Sequence, residues 1–134
     1  KEFESQFLNK INSLKNNLKC DIKFIENKNA VLVADDVVEL KVRQNKLWGS
    51  SPQNIRGLLE IRNVGISRYE YAEEAAVSLL VNLLPAKENL ERLPKNKTEN
   101  ILGVEIPAID LYAEDTTILE KIIVKLRDNL LKTE

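Results

Sequence analysis

The chain has no histidine, no methionine and a single cysteine, and only 4 of its 134 residues are glycine. Each scarcity excludes something. Without histidine, neither the commonest general base nor the commonest metal ligand is available. With Cys20 alone, no disulfide forms within the chain, which points to a reducing, cytoplasmic setting. Charge of one sign is also lacking: 20 Lys and Arg against 21 Asp and Glu leave a net charge of −1, which argues against a bulk electrostatic grip on nucleic acid. No apolar run approaches the ~20 residues that span a bilayer, so no membrane association is expected. No charged-then-apolar leader opens the chain, so no signal peptide is expected. Asn96-Lys97-Thr98 matches a glycosylation sequon, without weight in a cytoplasmic protein.

What is present is a soluble-protein composition, 43% apolar and 31% charged, in a length that fits one domain with a real core. Phe3, Phe7, Ile11, Leu14 and Leu18 recur at helical spacing. Ala30 to Ala34 reads as a short buried strand ending at Asp35-Asp36. Val38 to Arg43 alternates, and Gln44-Asn45 suits a tight turn into Lys46-Leu47-Trp48, a hairpin. Ser51-Pro52 predicts a helix start, with Ile55, Leu58 and Leu59 inward and an end before Gly65. Val77 to Leu84 reads as a central strand, and 86–97 as a loop. Short strands are expected on either side of Pro107. Thr117 and Glu120 form a capping box for a helix carrying Ile118, Ile122, Ile123, Leu126 and Leu130. There is no repeat, low-complexity tract or dividing linker.

Two clusters carry chemistry. Asp35-Asp36 closes an apolar run, and ligands in α/β sheets bind beyond the carboxyl ends of strands. A carboxylate there can take a proton from an attacking hydroxyl or hold Mg²⁺ through water. By itself the pair also serves simply to end a strand and solvate a turn. Likewise Glu60 and Arg62 read alone as a surface ion pair at a helix end, and Arg92 as a solvated cation. Cys20, between Lys19 and Lys23, lacks a histidine to activate it as a nucleophile.

Taken together, the runs Val31-Leu32-Val33-Ala34-Asp35-Asp36 and Leu59-Glu60-Ile61-Arg62-Asn63-Val64-Gly65-Ile66 resemble the paired signatures of the HPr kinase/phosphorylase family, in the right order. Glu91-Arg92-Leu93 is similar to a later Arg-Leu of that family. Ile101-Leu102-Gly103-Val104-Glu105-Ile106-Pro107 matches a structural stretch. The resemblance implies a single catalytic domain over 1–134, divergent over 1–28. The implied fold is α/β, a mixed sheet with flanking helices, P-loop kinase-like and related to the nucleotide domain of phosphoenolpyruvate carboxykinase. It implies ATP-dependent serine phosphorylation of the phosphocarrier HPr and the reverse reaction, with ATP and Mg²⁺ as cofactors and a homo-oligomer, a hexamer in the family. By position, the acid or base role falls to Asp35 with Asp36 beside it on the cofactor, the Mg²⁺ role to Glu60, and the transfer-assisting cation to Arg92.

The sequence also departs from that pattern. A phosphate loop needs glycines so that backbone N–H groups converge on phosphate. With its lysine set on Lys19, Ser13 and Leu18 stand at the glycine positions, and Cys20 replaces the hydroxyl that binds Mg²⁺, a poor ligand for a hard cation. Asn63 replaces a glycine of the second signature, where asparagine is the next-best residue for left-handed backbone. The family's catalytic histidine is missing, and Tyr112 to Thr117 stands where its Pro-Val-Lys-x-Gly-Arg loop would lie. Two readings follow: the enzyme, or a non-catalytic regulatory or protein-binding module on the same scaffold.

Overall fold

The alternation of apolar and charged residues before Gln44 sets the first hairpin. In the computed structural model, which describes residues 30–132, β1 (Glu39–Arg43) pairs antiparallel with β2 (Lys46–Ser50). Gln44 and Asn45 take φ of 53° and 61°, as a two-residue hairpin turn with the right twist demands. β5 (Ala75–Ala76) adds to the other edge of β2. The Arg43 guanidinium lies 4.5 Å from the Trp48 ring centroid and pairs with Glu74 at 2.6 Å, tying β1, β2 and the approach to β5 together.

Ser51-Pro52 leads into one turn of 3-10 helix, Gln53–Ile55, and not into the longer helix that the spacing predicts. Gly57 stops it. Its φ is +75°, and a Cβ there would sit 2.8 Å from Tyr71 Cδ1 and 2.9 Å from the Tyr69 carbonyl oxygen. Beyond Gly57 the chain is β3 (Leu58–Ile61), in which Leu59 is buried and Glu60 exposed. The inward face expected of a helix is therefore a strand's alternation. β3 pairs antiparallel with β4 (Gly65–Arg68), and the Val64 N–H donates to the Ile61 carbonyl across the turn. Asn63 takes φ of 66° there, so it fills the left-handed position expected of it.

Ala30 to Ala34 is not a regular strand. It makes one parallel bridge, Leu32 to Tyr71, with the Ala72 N–H donating to the Leu32 carbonyl at 2.8 Å, and Leu32 is buried.

The third sheet is mixed, in the order β6 (Leu80–Leu84), β8 (Val104–Tyr112), β7 (Lys97–Ile101), with β6 parallel and β7 antiparallel to β8. Among the described residues β8, not β6, is therefore the middle strand. It runs through Pro107 unbroken. Pro107 pairs with Thr98 and lies one residue before the β6 ladder begins at Ala108, so its missing N–H falls outside that ladder. The register puts Leu80, Ile101, Ile106 and Ala108 on one face, where with Leu47 of β2 they form the core.

α1 (Ile118–Lys132) follows. Its start is organised by Asp115, not by the expected capping box. The Thr117 N–H and hydroxyl both donate to Asp115 Oδ1, at 2.8 and 2.7 Å, and Lys121 pairs with Asp115 Oδ2. Of the expected apolar stripe Ile118 is buried, Ile122 and Leu126 are half-buried, and Ile123 and Leu130 are exposed; Leu119, which is not part of it, is buried. The helix expected over Phe3 to Leu18, with Lys19 and Cys20, lies outside the described residues. Among the described residues no helix is long and apolar enough to cross a membrane.

Candidate functional site

A hydrogen bond joins the two sequence signatures. The backbone N–H of Glu60 donates to Asp35 Oδ2 at 3.1 Å, across a separation of 25 residues. Each partner is brought there for a local reason. Asp35 follows the segment anchored by the Leu32–Tyr71 bridge. Glu60 sits in β3 where alternation buries Leu59 beneath it and turns its own side chain outward. Asp35 and Asp36 are both half-buried, and Glu60 is exposed. The junction thus brings Asp35 against the turn end of the β3–β4 hairpin, with the Glu60 side chain exposed beside it.

Arg92 comes from a different segment. It is exposed in the loop between β6 and β7, and the hydrogen bond joining Asp35 to Glu60 does not extend to it. That loop is pinned two residues earlier, where the Leu90 N–H donates to the Tyr112 hydroxyl at 3.0 Å. A cleft of about 1030 Å³ opens beside it between the loop, β8 and α1, with Leu90, Leu93, Ile109, Leu111, Lys121 and Val124 among its walls. Neither Asp35, Glu60 nor Arg92 lines this cleft. Lys19 and Cys20 fall outside the described residues.

A polar cluster spans the third sheet on the core side. Asn82 Nδ2 donates to Asp110 Oδ1 at 2.9 Å and to Glu99 Oε1 at 3.3 Å, and Lys97 Nζ reaches both Asp110 oxygens at 2.7 Å. No motif points to it, because only the register of three strands gathers its members. Asp115, likewise absent from the motifs, has its carboxyl held down at about 2 by the Lys121 ammonium and then by the two Thr117 donors.

The Asp35–Glu60 edge suits a hard cation. Mg²⁺ takes oxygen donors, keeps several waters and is held by one or two carboxylates together with substrate phosphates. Exposed Glu60 and half-buried Asp36, the residue after Asp35, carry oxygen donors of that kind. Among the described residues no group of three or more His, Cys, Asp or Glu is placed to hold a metal ion by itself.

The HPr Serine kinase C-terminal domain model matches residues 19–133. Over 92 residues the chain is similar to the HPr kinase/phosphorylase of Mycoplasma genitalium, with 35% identity, covering 60% of this chain and 30% of that protein. It is 34% identical over 74 residues to the HPr kinase/phosphorylase of Clostridium tetani, covering 55% of this chain and 24% of that protein. Each match therefore spans less than a third of the curated relative. Among solved structures, the Hpr(Ser) kinase/phosphatase from Coxiella burnetii is similar at a TM-score of 0.73 and 27% identity, covering 86% of this chain and 81% of that chain. The expected α/β, P-loop kinase-like fold is the one observed. Sequence signatures, fold and a match that runs through both motifs agree: the chain belongs to the HPr Serine kinase C-terminal domain family.

Proposed function

We propose that this chain transfers the γ-phosphoryl group of ATP to a serine of the phosphocarrier HPr, and reverses the transfer, as one domain over residues 1–134. The observation that supports this best is the hydrogen bond from the Glu60 N–H to Asp35 Oδ2, which sets the base candidate beside the metal-site candidate. In this reading the Asp35 carboxylate accepts the serine hydroxyl proton in the forward direction and returns one in reverse. Asp36 and Glu60 supply oxygen donors for Mg²⁺, which would neutralise phosphate charge when bound. Lys19 contacts the phosphates as a point charge, and Arg92 approaches the transferring group with a planar cation suited to spread phosphate charge. Cytoplasmic location and homo-oligomeric, hexamer-like assembly belong to the same reading.

The test is HPr phosphorylation by the parent and by Asp35→Asn. The expected loss on removing a general base is about 10²- to 10⁴-fold. Equal rates in the two proteins would sink the role given to Asp35. A thermal melt with millimolar MgATP accompanies it, since ligand at a hundred times its Kd stabilises a fold by about 2.7 kcal/mol.

A second reading has its own observation. Ser13, Leu18 and Cys20 stand where phosphate-loop glycines and a Mg²⁺-binding hydroxyl belong. A chain that binds HPr yet shows neither a MgATP-dependent shift nor phosphorylation is the non-catalytic module.

A further inference from the structure

Arg92 lies between two hydrogen bonds that tie its loop to later parts of the chain. Before it, the Leu90 N–H donates to the Tyr112 hydroxyl at 3.0 Å. After it, Asn96 Oδ1 accepts from Lys125 Nζ at 3.0 Å. Neither bond uses the Arg92 side chain, which stays exposed. Between the two ties, Pro94 fixes one further backbone angle. Glu91 and Leu93 line the cleft beside α1 and Arg92 does not, so the loop leaves the cation outside it.

The two holders are themselves firmly placed. Tyr112 pairs with Leu84 at the end of the β6–β8 ladder, where the loop departs, and the Ala113 N–H donates to the Leu84 carbonyl at 2.9 Å. The Tyr112 carbonyl accepts from the Asp115 N–H at 3.1 Å, and Asp115 organises the start of the helix that carries Lys125. Tyr112 also opens the stretch where the chain departs from the family pattern, so this holder comes with neither signature. An exposed loop costs entropy to order, and a cation assists transfer only if it is in place when the phosphoryl group moves.

We propose that Tyr112 and Lys125 are positioning residues for Arg92. The Tyr112 hydroxyl and the Lys125 ammonium hold the two ends of its loop, so that the guanidinium is presented in one place without being consumed by a contact of its own. This rests on the reading of Arg92 as the transfer-assisting cation. It adds how an arginine on an exposed loop is held for that work, and by which residues.

The experiment combines HPr phosphorylation kinetics with limited trypsin digestion of the whole chain, read at the bonds after Arg92 and Lys95. Tyr112→Phe keeps the ring and removes the hydroxyl, so its thermal midpoint should stay within about 5 °C of the parent's. Cleavage in the loop should speed up about fivefold, as expected when one hydrogen bond holding it closed is lost. The kcat should fall about tenfold while KM for HPr and for ATP hold. Lys125→Ala should act in the same direction, and Lys125→Arg, which keeps a donor for Asn96, should restore the parent's behaviour. In an Arg92→Ala background, adding Tyr112→Phe should change kcat by less than about twofold, because both act through one group. Parent-like kcat or parent-like cleavage in Tyr112→Phe overturns the inference, and so does a tenfold loss that persists in the Arg92→Ala background. If Arg92→Ala turns over like the parent, the role given to Arg92 falls and the positioning with it, while the role given to Asp35 stands. A parent without turnover overturns the phosphotransfer reading, and the positioning role goes with it.

Discussion

Replacing Asp115 by asparagine should destabilise the fold by about 1–2 kcal/mol at pH 7. The carboxyl is held near 2 instead of its ordinary 3.8, and only 15% of its side chain is exposed. At about 1.36 kcal/mol per pH unit, that difference corresponds to about 2.4 kcal/mol. The partner Lys121 is 52% exposed, so solvent screening takes the effective value below that ceiling. Asparagine keeps an oxygen for the Thr117 N–H and hydroxyl, so the substitution removes chiefly the charge facing Lys121. Because the folded-state value lies below the unfolded one, the stabilisation is fully present above about pH 5 and is lost as pH falls through the folded value near 2. The gap between parent and variant should therefore shrink to about half by pH 3. Urea unfolding of both proteins at pH 7, 5 and 3, with matched m-values, reads it directly. A gap below about 0.3 kcal/mol at pH 7, or one that stays constant down to pH 3, refutes the assignment of Asp115 as the organiser of the α1 start.

Two further substitutions test the backbone around the site. Gly57→Ala should cost about 2–4 kcal/mol, from the left-handed φ and from the contacts with Tyr71 and the Tyr69 carbonyl, and should lower the urea midpoint accordingly. At the hairpin turn, Asn63→Ala should cost about 1 kcal/mol while Asn63→Gly stays within about 0.5 kcal/mol of the parent, a contrast that thermal denaturation resolves.

The β1–β2 hairpin was readable because both its signals are local: alternation in the strands and two turn residues that tolerate positive φ. The start of the second signature was not. Ile55, Leu58 and Leu59 fit helical spacing, yet the last two also fit a strand, and Ser51-Pro52 is an equally good beginning for a single 3-10 turn. What decides between them is the close approach of Tyr69 and Tyr71 to Gly57, a tertiary fact. Pro107 misleads in a similar way. Its cost depends on where the β6 ladder begins, which no local pattern records. The capping box gave way because Asp115, two residues earlier, offers Thr117 a charged acceptor. Within the site, Asp35 and Glu60 could be named from their motifs, but their contact runs through a main-chain N–H, which carries no residue-type signal.

That last detail bears on how such a domain ages. Every residue except proline has an N–H to offer, so Asp35 keeps its donor for any other side chain at position 60. A lineage can thus lose the Glu60 carboxylate in a single substitution while the scaffold around Asp35 stays as it was. Chemistry and architecture are inherited separately here. A descendant without the Glu60 carboxylate would keep the contact that holds Asp35 against β3.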